Sequence, residues 1–356
     1  MTTIYLIRHG QAEGNLYRRC HSWHNGLLTL KGREQVKALE KRFEGVHFDA
    51  VYSSDLYRAM ATAGAIYRPW GLTLRVDPGL REIGAGIWED VPWGQLLHDD
   101  RDGLAAFLDC NPSWQVEGSE TFSSVRRRMD RAIRRIAAAH PDQTVAVTSH
   151  GCAIKCGLSV WLGVDPGEMD QIPLSNNTGV AKLEVENGQV KVAFYNDDSH
   201  LEGASPLPKA SSAYGIPGME RNALRFRPLR LPQERETYLA ARRDGWQASH
   251  GVMEGFDGEG FLAVAEKNSA QNENCLLLAL LGDVPVGVLQ MDWEQDAQDQ
   301  AGRVPFFYMA PDFRSKGLGV QLLGQAVCTY RAMGRQVLRL RCAPENDRAK
   351  KFSPSH

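Results

Sequence analysis

Between Thr3 and Leu201, short apolar runs of strand length alternate with longer segments of helical period. "TIYLIR", "DAVYSS", "LTLRV" and "TVAVTSH" read as strands, and helices are expected from about Thr29 to Phe43, from about Asp55, and after His150. In "SSVRRRMDRAIRRIAAAH" the apolar Val125, Met129, Ile133 and Ile136 share one stripe, so the arginines should form a solvated face. Strand and helix in turn predict an α/β fold, a three-layer, mostly parallel sheet with helices on both faces. Asn187-Gly188 lies between two alternating runs in "VAKLEVENGQVKVAFY" and predicts an antiparallel hairpin at one edge.

The alternation stops at "EGASPLPKASSAYGIPGMERN", residues 202 to 222, where Pro206, Pro208, Pro217 and several Gly and Ser carry no apolar period. This predicts a first domain over 1–203, a linker over 204–222 and a second domain over 223–356. In the second, "ALRFRPL" reads as a short strand, "LPQERETYLAARRDGW" as a helix, and "PVGVLQMDW" with "GRVPFFYMAP" as antiparallel strands. The acidic "DWEQDAQDQ" between those two reads as a solvated connection. "DFRSKGLGVQLLGQAVCTYRAMG" then gives a loop and an apolar helix, and "RQVLRLRC" a strand, so a smaller α+β domain is expected. Leu338 and Leu340 would sit on a strand short of neighbours, which a second copy of the chain in a homodimer would cover.

Composition narrows the class without changing this outline. With 356 residues, 43% hydrophobic and 24% charged, the chain is globular rather than disordered, and long enough for two cores. A net charge of −2 gives no general pull on nucleic acid or on an anionic membrane, so neither is an expected partner and a small molecule is. The 7 cysteines include no C-x-x-C pair, which fits free thiols in a reducing compartment. No apolar stretch reaches the about 18 residues of a membrane span, and the N-terminus enters a strand-like run directly; a cytoplasmic protein is expected.

The chemistry gathers at strand ends. Arg8 and His9 close the first strand, His150 closes "TVAVTSH", and Arg58 falls in the first turn of a helix opened by Ser54 or Asp55. Ligands of open α/β sheets lie outside the carboxyl ends of the strands, so these four basic groups should share one crevice. Crowded cations call for an anion, and arginine forks match phosphate oxygens. His9 as a neutral imidazole could attack phosphorus, with Gly10 allowing backbone close to the ring. Glu82, in the glycine-rich "GLREIGAGIWED", is the candidate to protonate a leaving alkoxide and then deprotonate water. No metal is required by this set. His21, Trp23 and His24 lie where they could wall the pocket, though plain loop residues are the preferred reading. In the second domain Arg314, Ser315, Lys316, Gly317, Leu318 and Gly319 join a strand to a helix, so that bare amides at a helix N-terminus could cradle a pyrophosphate.

Arg8-His9-Gly10, Asn15, "LTLKG", "YSSDLYRAMATA", "LREIGAGIWE", "EGSETFSSVRRR", "TSHG" and "YNDDSHL" together resemble the histidine phosphatase (phosphoglycerate mutase-like) superfamily, from residue 3 to about 201. The resemblance implies that His9 becomes phosphohistidine, that Arg8, Arg58 and His150 hold the phosphoryl group with help from Asn15, and that Glu82 is the acid. Only 68 residues (150 − 82) separate Glu82 from His150, and this short insert resembles the phosphatase branch more than the mutases. A metal-independent phosphomonoesterase acting on a small phosphorylated metabolite is therefore expected, with a phosphoglycerate mutase-type phosphotransferase as the alternative.

Residues 223 to 352 resemble the GNAT-type N-acetyltransferases, with Arg314 to Gly319 as the pyrophosphate loop and "FFYMAP" as the strand that pairs with pantetheine. This implies acetyl-CoA as cofactor, an amine acceptor and a bifunctional chain. Asn346, Ala349 and Phe352 fit the family pattern, but Ser353 stands where a tyrosine is usual and the last strands are missing. CoA binding is expected to outlast acetyl transfer, and a regulatory acetyl-CoA module is the other reading.

Overall fold

The computed structural model describes residues 1–201, 215–343 and 346. The chain divides into two compact units: Met1–Asn15, Arg19–Val91 and Asp99–Met219 form the first, and Leu16–Arg18, Pro92–His98 and the chain from Glu220 onward form the second. Within the expected linker, Ile216–Asn222 is a helix. All seven cysteines are free, and among the described residues no helix is long and apolar enough to cross a membrane.

The first unit is a six-stranded sheet made of β1 (Thr2–Arg8), β2 (Ala50–Ser53), β3 (Leu74–Val76), β4 (Thr144–Ser149), β5 (Val180–Glu186) and β6 (Gln189–Asp197), in the order β3-β2-β4-β1-β5-β6. The first four strands run parallel, and β5 and β6 are antiparallel additions at one edge, as the hairpin signal predicts. Asn187 (φ 50°) and Gly188 (φ 76°) both take the left-handed conformation that a two-residue hairpin turn requires. Ile4, Leu6, Ile7, Val145, Ala146 and Val147 are fully buried, which is why these central strands read as unbroken apolar runs.

One register matters for function. Arg8 on β1 pairs with Ser149 on neighbouring β4, so His9 and His150 leave adjacent parallel strands at the same level. The helix Leu30–Arg42 starts with Thr29 accepting from the Gly32 amide, an N-cap with Lys41 and Arg42 in the last turn. The helix Tyr57–Tyr67 differs from expectation: it is opened by Leu56 with no side-chain cap. Asp55 is instead paired with Arg81, and the Ser54 hydroxyl meets His150 and accepts from the Leu56 amide rather than from the first helical turn. The helix Phe122–Ala139 buries Val125, Met129, Ile133 and Ile136 as the stripe predicts, but its arginines are not all solvated. Arg128 turns inward to Glu120 and to the carbonyls of Gly79, Arg81 and Glu82.

The second unit is a five-stranded sheet of β7 (Leu224–Pro228), β8 (Leu276–Leu281), β9 (Val284–Asp292), β10 (Ala301–Met309) and β11 (Val337–Leu340), ordered β11-β10-β9-β8-β7. All neighbours are antiparallel except β10 and β11. The helix Gly258–Gln271 and strand β8 were not anticipated from the sequence. β8 is the unbroken apolar run "LLLALL", buried along nearly its whole length, and periodicity cannot separate such a run from a buried helix. β11 pairs only with Ala301–Val304, so Phe306–Met309 meet β9 on one edge and no strand on the other among the described residues. The acidic connection uses Asp296 to face Arg303 and Arg339. Ala349, Phe352 and Ser353, which carry the sequence argument about the end of this unit, lie outside the described residues.

Candidate active site

The paired strand ends of the first unit bring two imidazoles and two guanidiniums together. The His9 and His150 ring centroids are 5.2 Å apart. His9 Nδ1 lies 2.7 Å from the Gly10 carbonyl, where it can only donate, so the lone pair is on Nε2. Arg58 Nε reaches that Nε2 at 3.3 Å. Burial first, then the charges of Arg58 and Arg8, hold the His9 pKa well below its ordinary value, which keeps the ring neutral and nucleophilic. His150 is held low by burial and by Arg58, His9, Arg128 and Arg8, in that order. Its Nε2 meets the Ser54 hydroxyl at 2.8 Å, and its Nδ1 is buried with no partner among the described residues.

Arg58 is 2% exposed and is fixed by three carbonyls of one loop, those of His24 (2.9 Å), Ser22 (2.7 Å) and His21 (3.3 Å). Burial pulls its pKa down to about 10, so it remains a cation at neutral pH. Arg8 donates through one terminal nitrogen to the Ser175 carbonyl, and its Nε is buried without a partner among the described residues. Neither guanidinium is in an ion pair among the described residues. Two buried cations with an orphaned donor beside them form the arrangement that a phosphate oxygen would complete.

Glu82 is half-buried, and its carboxylate accepts from the amides of Ile83 (3.0 Å), Cys152 (3.1 Å) and Ala153 (2.8 Å). The last two amides open the helix Gly151–Trp161, whose N-cap is His150 itself, so acid and imidazole are held by one helix start.

In the second unit, Ser315 (φ 59°) and Gly317 (φ 74°) bend the loop before the helix Gly319–Ala332. Among the described residues no backbone N–H from Ser315 to Gly319 has an acceptor. A Cβ on Gly317 would have open space around it, so the surface there is bare backbone. Arg314 points elsewhere: its Nε donates to the Met309 carbonyl at 2.8 Å and its Nη2 pairs with Asp244. Leu318 is buried in the core, so only its amide belongs to the loop surface, and Lys316 lies over the Phe313 ring.

Residues 4–198, more than half of the chain, match the model of the histidine phosphatase superfamily (branch 1). The chain belongs to the histidine phosphatase superfamily. Residues 233–353 match the acetyltransferase (GNAT) family. A curated relative, the probable phosphoglycerate mutase GpmB of Cronobacter sakazakii, is 29% identical over 208 residues, which is 57% of this chain and 96% of the relative. Bacillus stearothermophilus YhfR superposes with a TM-score of 0.55 at 30% identity, covering 56% of this chain and 100% of its own. The phosphoserine phosphatase of Entamoeba histolytica, solved with 3-phosphoglyceric acid, gives 0.51 at 26% identity with the same two coverages, 56% and 100%.

In this histidine phosphatase, Arg8, His9, Arg58 and His150 come together as the sequence suggests, and Glu82 shares a helix start with His150. Asn15 lies behind His9: its Oδ1 accepts from Ala12 N at 3.0 Å, and Asn177 Nδ2, 3.5 Å away, also donates to the His9 carbonyl. Gly10 brings its carbonyl to the His9 ring and also serves a second close contact: a Cβ there would lie 2.9 Å from the Gly32 carbonyl, at the start of the helix Leu30–Arg42. The His21–His24 segment is more than plain loop, because its carbonyls hold Arg58 and Trp23 Nε1 donates to the Glu82 carbonyl at 2.8 Å. Sequence reasoning missed Ser54, Ser175 and Asn177. Of these only the turn-rich "SNNTG" gave any signal, and Thr178 (φ 59°) does turn there, its amide donating back to the carbonyls of Arg8 and His9.

Proposed function

We propose that the first unit is a metal-independent phosphomonoesterase of small phosphorylated metabolites, working through a phosphohistidine on His9. The observation that carries this reading is His9 itself, a buried neutral imidazole with Nδ1 anchored to its own backbone and Nε2 turned to Arg58. Arg8, Arg58 and His150 bind the phosphoryl oxygens and supply the positive charge that a metal would otherwise bring. His9 Nε2 attacks phosphorus, forming the P–N bond as the P–O bond to the leaving group breaks, and Glu82 gives that oxygen its proton. The Glu82 carboxylate then takes a proton from water, which attacks phosphorus, breaks the P–N bond and releases inorganic phosphate. The short connection from Glu82 to His150 favours water over a second phosphate acceptor. Incubation with a panel of phosphomonoesters in the presence of a chelator tests this. Inorganic phosphate should appear, and His9→Ala should abolish both turnover and acid-labile, base-stable protein phosphate. Complete loss of wild-type turnover on chelation would reject the reading, and phosphate transfer without release would return the mutase alternative.

We further propose that the second unit binds acetyl-CoA. The unpartnered amides of Ser315 to Gly319 and the bare Gly317 backbone fit a pyrophosphate, and the open edge of Phe306–Met309 fits an extended pantetheine-like chain. When bound, acetyl-CoA supplies an activated acetyl thioester to an amine. Arg314, held by Asp244 and Met309, shapes the loop from within.

A further inference from the structure

Among the described residues, no carboxylate of the second unit pairs with the buried cation Arg242. It is 8% exposed on the helix Arg235–His250. Its Nε donates to the Tyr238 hydroxyl at 2.7 Å and its Nη2 to Gln290 Oε1 at 2.7 Å; both acceptors are neutral. Gln290 is locked in turn, because its Nε2 donates to Asn268 Oδ1 at 2.7 Å. The guanidinium carbon lies 3.9 Å from the Phe306 ring centroid and 4.5 Å from that of Phe261. Nη1 has no hydrogen-bond partner among the described residues.

Four carboxylates on or beside this helix are paired with other cations. Asp244 pairs with Arg314, Glu234 with Arg227, Glu259 with Arg235 and Glu236 with Arg243. An apolar side chain could fill the space between these rings without burying a charge, so packing does not account for the guanidinium. One helical turn further on, Trp246 Nε1 is buried and also has no acceptor among the described residues. The Trp246 ring meets the same Phe261 ring that Arg242 covers, at 5.8 Å between centroids. The two side chains that carry these donors, at i and i+4 of one helix, thus both pack against the Phe261 ring. Phe306, the other ring against Arg242, belongs to the stretch of β10 whose second edge is open.

We propose that Arg242 and Trp246 form a carboxylate-binding subsite, and that the amine acceptor of the second unit is a compound bearing a carboxylate, a free amino acid or a peptide C-terminus. Arg242 Nη1 and Trp246 Nε1 would each donate to a carboxylate oxygen. The word acceptor rests on the acetyl-CoA reading above, whereas the subsite does not.

The test uses the full chain labelled with 15N-tryptophan, with the Trp246 indole resonance assigned by its loss in Trp246→Phe. The chain is titrated with the proteinogenic amino acids, with their amides, and with short peptides carrying a free or an amidated C-terminus. A saturating shift of the Trp246 indole is expected with at least one free carboxylate and not with its amide, and whether amino acid or peptide produces it identifies the source. Arg242→Gln should weaken that binding about tenfold or more, and Arg242→Lys should restore part of it, as expected of a charge-assisted hydrogen bond. CoA calorimetry on each variant reports whether the unit remains folded. If Arg242→Gln does not fold, the comparison of acid with amide on the wild-type chain still decides. Equal binding of acid and amide, undiminished binding by a folded Arg242→Gln, or no saturating shift with any probe would overturn the subsite. No heat with CoA beside a carboxylate-specific shift would sink the acetyl-CoA reading and leave the subsite standing.

Discussion

At the scale of single residues, the buried histidines make the first unit sensitive to acid in a defined direction. His9 and His150 have native pKa values held well below the ordinary 6.5. As pH falls through that value, the unfolded chain takes up two protons that the native state refuses. Stability from these groups is therefore fully present above pH 6.5 and is lost as pH falls towards the depressed native values, by about 1.4 kcal/mol per pH unit for each histidine. Urea denaturation should show this slope, and a folded His9→Ala should show a smaller one. Catalysis should respond differently. Because His9 stays neutral, the acid limb of kcat/KM attributable to it should lie well below pH 6.5, and a limb at 6.5 would mean that the nucleophile is not shielded as described. Glu82 is tested by leaving group: Glu82→Gln should slow hydrolysis of alkyl phosphates by roughly a hundredfold or more but p-nitrophenyl phosphate far less, since a good leaving group needs little protonation. Equal slowing of both would remove Glu82 from the acid role. Arg8, His9, Arg58 and His150 could be read from the sequence because each stands at a strand end or a helix start, and Glu82 because of its glycine-rich loop. Their supports could not, because Ser54, Ser175 and Asn177 act through contacts across 96, 167 and 168 positions of chain.

At the scale of elements, the helix Leu30–Arg42 packs closely against the loop after β1 that carries His9. A Cβ added to Gly32 would lie 2.0 Å from the Gln11 carbonyl, while one on Gly10 would lie 2.9 Å from the Gly32 carbonyl. Each glycine thus makes room for the other segment. Helix propensity alone would make Gly32→Ala stabilising by about 1 kcal/mol. The backbone clash opposes this and has no flexible side chain to yield, so a net loss of about 1–3 kcal/mol is expected, together with reduced kcat as the His9 loop shifts. Chemical denaturation and phosphatase assays on the one variant check both, and a more stable, fully active Gly32→Ala would refute the packing argument. The same scale shows what pattern reading can and cannot find. The alternating and apolar runs of β1, β4, β5 and β6 locate those strands, and the hairpin follows from Asn187-Gly188. The helix Tyr57–Tyr67 starts later than Ser54 and Asp55 suggest, because Asp55 pairs with Arg81 while the Ser54 hydroxyl meets His150 and accepts from the Leu56 amide. The unanticipated β8 is a strand whose burial on both faces erases its period.

For the whole molecule, the two family matches fall on separate stretches of one chain, and the question is whether the two proposed sites exchange free energy. Gly317 is the place to ask. At φ 74° a β-branched residue is strained, and its side chain would stand where bare amides face the ligand. Gly317→Val should therefore abolish CoA binding measured by calorimetry. If the units work independently, phosphate release should stay within about twofold of wild type, because distant sites without shared partners contribute additively. Wild-type CoA affinity in Gly317→Val would remove the loop from the cofactor site. Adding CoA to the wild-type phosphatase reaction completes the comparison. Should it change the KM for phosphomonoesters where KM reports binding, linkage requires that a bound phosphate analogue change the CoA affinity by the same factor, and Gly317→Val must erase both effects. A rate change that persists in Gly317→Val would place the coupling on some site other than this loop.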